Sequence, residues 1–581
     1  MRRALAALVF ASAAAAPLAV HAQALPDLVR EAGVTVIQWQ SVQAEVRRSA
    51  ADKHVSEQAL AVVCAKMGVR LAKRHHLDVN QMIALVSGRA DEISAIYRRL
   101  ALEERQNNQA AAKLLKQARG AIDVGDLDQA ETYLKQASTV ARSAVETAQR
   151  QEAEITATDA QVKALQFDYL GAAAEYAEAA SELPASAKHD RWTYVIDQAG
   201  TLEKRGELFD EPQPLHDAIA LYRSSALPLV SRDADAGDWA RTQDDLGVAL
   251  EVLGDRGDDR ALQDAITAEK AALEVWTRAA HPSDWAKTQN HLGNALSDLG
   301  ALGDNTALRE AVAAQQAALQ VETRDRDPGS WAMTERGLGD ALRRLGEQGN
   351  NQALKDSIPA FRAALSVFTS DHNPASWAGT QMDLASALDR LAERGDQQAL
   401  KDSIAAYRAA LTIYTRDRDP SDWAGAQMDL GVALTALGNQ GDDQALKEAA
   451  TAERSVLEVY RRDRDPQGWA MAQNNLGEAL RALGNRGDEQ ALRDSIPAYR
   501  SALEVETRDR DPVDWATVES NIGDSLETLG EHGDNQALKD SIAAYHSSLE
   551  ILTPARFPEY AKIVSEHLAR AEAALARRHP G

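Results

Sequence analysis

The stretch WAGAQMDLGVALTALG, residues 423–438, decides the fold, because close copies of it recur at a fixed distance along the chain. Each copy opens with Trp-Ala, and the step between successive pairs is always 46 residues (285 − 239, 331 − 285 and so on). The tryptophans are Trp239, Trp285, Trp331, Trp377, Trp423, Trp469 and Trp515. A period of this size indicates a repeat array, in which each repeat packs only on its neighbours.

The repeated stretch has the apolar spacing of an α-helix, which we name the A helix of each repeat. Its apolar residues are three and four apart, so they share one stripe: Trp423, Ala426, Leu430, Ala433, Leu434 and Leu437. Pro420 and a capping oxygen from Ser421 or Asp422 predict its start. Gly438 predicts its end, because glycine accepts the left-handed backbone that closes many helices. The same position carries Gly254, Gly300, Gly346, Gly484 and Gly530.

A second helix, the B helix, is predicted after a short link. Gly441-Asp442 offers a turn and an N-cap. In the clearest copy, residues 399–411, the predicted buried stripe is Leu400, Ile404, Tyr407 and Leu411, with small Ser403 and Ala410 beside it. The A and B helices therefore form a hairpin. Pro359 and Pro497 fall inside two B helices, where they would either kink the helix or move its start later.

The pattern resembles the tetratricopeptide repeat (TPR) family, as a long-repeat variant with a 46-residue period. Leu-Gly stands in the A helix at Leu246-Gly247, Leu292-Gly293, Leu338-Gly339, Leu430-Gly431 and Leu476-Gly477. A small–aromatic–small pattern stands in the B helix, as in Ser403, Tyr407 and Ala410. The resemblance implies an all-α fold, an open right-handed α-solenoid of antiparallel helix pairs. Ala385 replaces the glycine once, and Glu269, Gln315 and Glu453 replace the aromatic residue.

The chain divides into five predicted segments. They are a signal peptide over 1–22, an N-terminal helical segment over 23–105, two TPR-like units over 106–188, eight long repeats over 189–558 and a C-terminal capping helix over 559–581. The signal peptide is predicted because Met1-Arg2-Arg3 precedes an apolar run, and Val20-His21-Ala22 fits a cleavage site after Ala22. We expect an exported protein, periplasmic or secreted, with no membrane span.

Composition limits the classes of function. The formal net charge of −24 argues against nucleic-acid partners, which prefer basic surfaces. Cys64 is the single cysteine, so no internal disulfide can form. We expect the tryptophans to pack in the core between repeats rather than to stack on sugars.

The sequence contains no pattern typical of catalysis, so we expect no enzyme, no catalytic residue, no cofactor and no metal site. Phosphate-loop, nucleophile-elbow, His-Glu-x-x-His and Cys-x-x-Cys motifs are missing. The adjacent His75 and His76 would point about 100° apart on a helix. Arg-Asp-Arg-Asp-Pro loops at 324–328, 416–420, 462–466 and 508–512 offer too few oxygens for calcium.

The resemblance also implies a binding face, because the first helices of TPR proteins line a concave surface where ligands lie. Positions two, five, nine and twelve after each tryptophan point away from the apolar stripe, and the family's peptide-contacting asparagines precede Leu-Gly. The candidate residues are Arg241, Lys287, Asn290, Asn294, Arg336, Arg343, Met382, Met428, Val432, Asn474, Asn475, Arg481 and Asn521. We expect an apolar patch of Met382, Met428 and Val432 flanked by amide and charged side chains.

The function expected is therefore an exported, non-enzymatic scaffold that binds a peptide or protein partner on this face. Two alternatives stay open. One is an α/α-barrel-type envelope enzyme that acts on polysaccharide, which would need unique residues at one place in the array. The other is a functional module over residues 51–105, with the array as its spacer.

Overall fold

The computed structural model of the chain describes residues 36–72, 79–106, 109–141, 146–184 and 186–578. The predicted signal peptide and the pair His75-His76 lie outside the described residues. Over those ranges all regular structure is helical, which confirms the predicted all-α fold. The chain forms two compact units, Met1–Leu302 and Gly303–Gly581. Among the described helices, none has the length and apolar character that crossing a bilayer requires.

The first unit begins with three helices outside the repeat register: α1 (Val36–Lys53), α2 (Glu57–Ala72) and α3 (Val79–Gln106). Two helix pairs follow, α4 (Gln109–Asp123) with α5 (Leu127–Ala141) and α6 (Glu146–Leu165) with α7 (Tyr169–Glu182). The Trp192 copy supplies α8 (Lys188–Phe209) and α9 (Pro212–Leu221), and α9 continues as a short π-helix over Tyr222–Ala226. The unit ends with α10 (Ala236–Gly254), α11 (Asp259–Leu273) and α12 (Pro282–Ala301).

The second unit continues the regular alternation of B and A helices. Its helices are α13 (Asn305–Ala318), α14 (Pro328–Glu347), α15 (Asn351–Leu365), α16 (Pro374–Glu393), α17 (Gln397–Ala410), α18 (Pro420–Asn439), α19 (Asp443–Val456), α20 (Pro466–Gly484), α21 (Glu489–Ala502), α22 (Pro512–Glu531), α23 (Asn535–Leu549) and α24 (Pro558–Arg578). Within the unit, each A helix packs most closely on the B helix that follows it.

The hairpins are TPR-like in the way the two helices meet. Gly477 of α20 faces Tyr499 of α21, and a Cβ on Gly477 would lie 2.6 Å from the tyrosine Cε1. The Leu-Gly pair of the A helix therefore supplies the gap that the aromatic side chain of the B helix fills. This contact joins the two sequence patterns on which the resemblance rests.

A helices start two residues earlier than the sequence predicts. Asp419 is the N-cap of α18 and Pro420 occupies its first turn, so Ser421 and Asp422 lie inside the helix. Proline is well suited to this position because its missing N–H would have no partner there. In α20 the equivalent cap, Asp465, accepts a hydrogen bond from the Gly468 N–H at 2.9 Å.

The glycine predicted to end the A helix has another role. Gly438 lies inside α18, and the left-handed residue is Gly441, with φ of +121°. A Cβ on Gly438 would lie 2.3 Å from Leu446 Cδ2 of the B helix. The prediction of a C-cap was wrong. Glycine is used both for left-handed backbone at helix ends and for close contact between helices, and here the close contact requires it. Equivalent contacts join Gly254 to Leu262, Gly346 to Leu354, Gly484 to Leu492 and Gly530 to Leu538.

The B helices start where predicted. The Asp442 carboxylate accepts hydrogen bonds from the N–H groups of Gln444 and Ala445, at 3.0 and 3.1 Å. Pro359 and Pro497 lie within α15 and α21, which continue through them. The alternative of a later helix start is therefore excluded.

The core of the second unit is built from the predicted leucine stripe. Buried Leu400, Ile404 and Tyr407 of one repeat contact a cluster that includes Leu430 and Leu434 of the next. The cluster extends to the following A helix through Leu476 and Leu480. Each repeat thus buries its apolar face only with its neighbours, as expected of an array.

The repeated tryptophans are less buried than predicted. The alanine after each one is fully buried, as at Ala332 and Ala424, whereas Trp331 and Trp423 are half-buried. Trp331 and Trp377 pack against Phe368 in a small cluster apart from the leucine stripe. Removing one such indole should therefore cost less than the 3–5 kcal/mol that is typical of a fully buried aromatic side chain.

Arginines of the Arg-Asp-Arg-Asp-Pro loops cover these indoles. The Arg508 guanidinium lies 5.5 Å from the Trp515 ring centre, and its Nη2 lies 2.7 Å from Glu550 Oε2 at the end of the same repeat. Arg416 pairs with Glu458 and Arg462 with Glu504 in the same manner. The loop cations are thus paired at hairpin ends, where exposed ion pairs contribute up to about 1 kcal/mol each.

Substitution of the buried glycine tests the close helix contact. A Cβ on Gly484 would lie 2.5 Å from Leu492 Cβ and 2.9 Å from its Cα, so Gly484→Ala must displace the B helix. We expect it to lower the free energy of unfolding by about 1–3 kcal/mol, measured by urea denaturation. Ala392 occupies this position in another repeat, so the fold should persist.

Gly425→Ala is the matched control. Gly425 lies in α18, and a Cβ added there would meet no neighbouring atom within 4 Å, so the change adds only helix propensity. We expect stability to stay equal or to rise by up to about 1 kcal/mol. Equal losses in the two variants would contradict the assignment of Gly484 to a close helix contact.

Candidate partner-binding face

The candidate residues all lie on A helices. Val432, at position nine after its tryptophan, is 49% exposed, and Arg241 and Lys287 at position two are exposed. The remaining candidates are half-buried. We name positions two, five and nine of the repeats the A-helix face.

Position twelve is more buried than predicted in three repeats. Ser297, Thr435 and Glu527 occupy it in three repeats and are buried. A helix rotates by about 100° per residue, so position twelve is displaced around the axis from position nine towards the contact with the B helix. The prediction that position twelve lines the face was therefore wrong for these residues.

The arginines of the candidate set are already paired within the chain. Arg336 Nε donates to Asp383 Oδ2 of the next A helix at 2.6 Å. Arg343 donates to Asp340 at 2.6 Å, and Arg481 donates to the Tyr499 hydroxyl at 3.4 Å. A partner would have to replace such contacts to engage these cations.

The predicted apolar patch is divided between separate clusters. Met382 packs against the leucine core, whereas Met428 packs with Trp423 and Tyr460. Both methionines are half-buried, and of the three predicted residues only Val432 is exposed. The patch is thus smaller than predicted, because both methionine side chains take part in apolar packing within the array.

Polar groups near the middle of the face point to hydrogen bonding. The Asn474 side-chain oxygen is buried without a hydrogen-bond partner. A buried carbonyl oxygen without a donor costs free energy, which a donor from a bound molecule would recover. Asn475 lies beside Glu453, which occupies the aromatic position of the preceding B helix.

Several carboxyl groups near the face have shifted pKa values. Burial raises the pKa of Glu453 well above its usual value, and the Asn475 side chain offsets only part of that effect. In the first unit, burial raises the pKa of Asp245 to about 7 and that of Glu251 to about 8. Burial would also raise the pKa of Asp244, but hydrogen bonds from His291 and Thr288 outweigh it and lower the pKa.

Two side chains of α3 reach α8 in the first unit. Arg99 donates to the Tyr194 hydroxyl at 3.5 Å, and Lys204 lies 3.9 Å from Glu92. Tyr194 is two residues after Trp192, which is position two. Side chains of α3 thus contact the A helix of this copy at Tyr194 and Lys204.

A cavity of about 440 Å³ remains beneath α3. Its lining includes Arg89 and Glu92 of α3, Asp197 of α8 and Arg241 of α10. Sequence reasoning missed this arrangement, because α3 carries no repeat register. The one available signal was its apolar stripe, which runs through Ile93, Ile96, Tyr97 and Leu100, all of them buried.

Comparisons with known proteins find similarity in structure alone. No protein-family model matches the chain, and no curated protein matches its sequence. The Cut9–Hcn1 hetero-tetramer of APC/C aligns at 17% identity over 85% of this chain and 92% of that chain, with a TM-score of 0.28. The P58(IPK) TPR domain aligns at 14% identity over 73% of this chain and 99% of that chain, with a TM-score of 0.21.

A third solved structure, Naa15/Naa10 bound to HypK-THB, aligns at 12% identity over 96% of this chain and 94% of that chain, with a TM-score of 0.20. These TM-scores are too low to carry an argument about arrangement or function. The TPR-like character of the hairpins rests on their own contacts.

The buried acid predicts a dependence of stability on pH. Because the pKa of Glu453 is raised in the folded state, the folded chain holds a proton that the unfolded chain releases above about pH 4.5. The protonated Glu453 side chain makes its full contribution to the free energy of unfolding below that pH. This contribution is lost as pH rises towards the pKa of Glu453 in the folded state. We therefore expect the free energy of unfolding of Glu453→Gln to rise relative to that of the wild type as pH rises from about 4 to about 8, measured by urea denaturation.

Two features of the chain sharpen this test. Gln315 occupies the equivalent position, so the amide fits. Glu448→Gln, on the same helix with a side chain that is 42% exposed, controls for loss of a negative charge. A difference between Glu453→Gln and wild type that stays constant across pH would contradict the assignment of a raised pKa to Glu453.

Proposed function

We propose that the chain is a non-enzymatic, exported scaffold that binds a peptide or protein partner on the A-helix face. The observation that carries the proposal is the position of α3. At the Trp192 copy, Arg99 of α3 donates to the hydroxyl of Tyr194, which occupies position two of this face. At this copy the A-helix face therefore already contacts a side chain from another helix of the same chain.

The second unit offers the binding region in this proposal. Val432 is exposed on α18, and the Asn474 oxygen on the next A helix has no hydrogen-bond partner. An exposed apolar side chain beside amide groups suits a polypeptide, which presents both apolar side chains and backbone N–H groups.

Charge favours a partner with N–H donors or cationic side chains. The chain carries a net charge of −24, and carboxyl groups such as Asp429 and Glu478 lie along the A helices. The arginines Arg336 and Arg343 among them are held in ion pairs. The same acidity argues against nucleic acid as a partner.

Export is the remaining part of the proposal. Residues 1–22 have the basic start, apolar run and small-residue cleavage site of a secretory signal. A periplasmic or secreted location would place the scaffold with envelope proteins, which makes an envelope fraction the appropriate source of partners.

Site-specific crosslinking tests the proposal. A photoreactive amino acid at Val432 should crosslink a polypeptide from an envelope fraction, because this side chain is exposed on the face. The same amino acid at Thr451, exposed on the B helix of that repeat, should give no equivalent product. The products are compared by mass spectrometry.

Substitutions on the face complete the experiment. Met428→Glu combined with Asn474→Ala should reduce the Val432 product about tenfold or more, since it introduces a charge and removes an acceptor from neighbouring repeats. Thr451→Glu adds the same charge on the B helix and should leave the product unchanged. Capture that persists in the double variant while helicity is retained would refute the A-helix face as the binding site.

A further inference from the structure

Three side chains with metal-binding atoms converge in the first unit, where the first in-register repeat meets the next. Asp244 lies on α10, Glu269 on α11 and His291 on α12. Their ligand atoms all lie within 4.8 Å of one another. Residues from three helices and two repeats thus point to one position.

Glu269 is the residue of this cluster that protein contacts leave unexplained. Its side chain is 1% exposed, no N–H or hydroxyl group donates a hydrogen bond to its carboxylate oxygens, and the polar side chain within its reach is the acidic Asp244. A Cβ on Gly247 would lie 2.1 Å from Glu269 Oε1, so the carboxylate occupies the gap that an aromatic ring fills elsewhere. A buried, ionised carboxylate without a partner is costly unless a cation accompanies it.

A second cluster of the same residue types, in the second unit, provides the contrast. Asp524, Glu527 and His567 also bring their ligand atoms within 4.8 Å of one another. There the Tyr545 hydroxyl lies 2.8 Å from one oxygen of each carboxylate, and Arg570 Nε lies 3.1 Å from Glu527. The carboxylates of this second cluster are therefore already bound by side chains of the protein.

The surroundings of the first cluster are acidic instead. The carboxyl groups of Asp244, Asp245 and Glu251 all lie close enough to Glu269 to act on it electrostatically. Only His291 among the three clustered side chains can carry a positive charge. Several carboxyl groups around one imidazole give a local excess of negative charge, which a bound cation would neutralise.

The geometry of the first cluster suits a small divalent cation. His291 Nδ1 lies 3.3 Å from Asp244 Oδ1. Tetrahedral ligands at bond lengths of about 2.0–2.1 Å are separated by about 3.3 Å. The Thr288 hydroxyl donates to Asp244 Oδ1 at 2.6 Å, which orients that carboxylate as an outer-shell group does in metal sites.

We propose that Asp244, Glu269 and His291 bind a divalent transition-metal ion of the Zn²⁺ type, with water completing the coordination. One imidazole and two carboxylates form a donor set that Zn²⁺ accepts in proteins. The ion joins the A and B helices of one repeat to the A helix of the next. Asp244 occupies position five of the A-helix face, but the proposal does not depend on a partner bound there. The sequence predicts no metal here because the three residues form no motif.

Zinc titration of the full-length chain, purified without a polyhistidine tag and stripped with a chelator, tests the proposal. Isothermal calorimetry with ZnCl₂ should show one equivalent bound by the wild type that Glu269→Gln and His291→Ala lose. Gln315 occupies the position equivalent to Glu269, so the amide should not prevent folding, and circular dichroism verifies this. Thr288→Val should weaken binding about tenfold or more.

Two control variants separate this site from other acidic and histidine residues. Glu453→Gln changes the other buried glutamate at the aromatic position, and His567→Ala changes the second cluster. Both should retain the full zinc equivalent. Substitution by Co²⁺ should give visible absorption bands in the wild type that His291→Ala lacks.

Three outcomes would overturn the proposal. One is a wild-type chain that binds no zinc at this site, in which case Glu269 and Asp244 share a proton instead. Another is a Glu269→Gln variant that still binds the zinc ion that His291→Ala has lost, because Glu269 would then not be a ligand. The third is loss of the equivalent in His567→Ala alone, which would place the ion in the second cluster.

Discussion

The close approach of the two helices in each hairpin is the constraint on which the rest of the structure depends. Gly438 admits Leu446 of the B helix, and Gly477 admits the ring of Tyr499. These contacts fix which side of the A helix is buried, because a helix pressed against its neighbour along one stripe leaves the opposite side free. Repetition every 46 residues then brings the free sides of successive A helices into register within each unit.

The sequence predicted the hairpins and the B-helix caps. Apolar residues three and four apart indicate an α-helix, and a Gly-Asp pair between two helices indicates a turn followed by an N-cap. It misassigned Gly438, since glycine permits both left-handed backbone and close packing, and a single residue does not reveal which is used. It overestimated tryptophan burial, because the indoles pack in small clusters apart from the leucine stripe, as Trp331 and Trp377 do with Phe368. The docking of α3 and the Asp244–Glu269–His291 cluster depend on contacts between distant helices, which periodicity cannot report.

One structural position carries different chemistry in different repeats. The B-helix residue that faces the Leu-Gly pair is Tyr499 or Tyr545 in some repeats, Gln315 in one and Glu269 or Glu453 in others. A tyrosine there places its hydroxyl among carboxylates, as Tyr545 does with Asp524 and Glu527. A glutamate buries a carboxyl group instead. The helix packing is thus the same in each repeat, whereas the charge at the contact between the A and B helices differs. A repetitive chain can in this way contain a site that occurs only once.

Thiol labelling along α18 tests most directly whether the A helix is held along one stripe with its other side free. The native Cys64 is buried, so single cysteines introduced across residues 424–436 report their own accessibility to a maleimide. We expect rapid labelling at Gly425, Val432 and Ala436, and protection at Ala424, Leu430 and Ala433. Uniform rates along the helix, or protection at Val432 with reaction at Ala433, would contradict that arrangement.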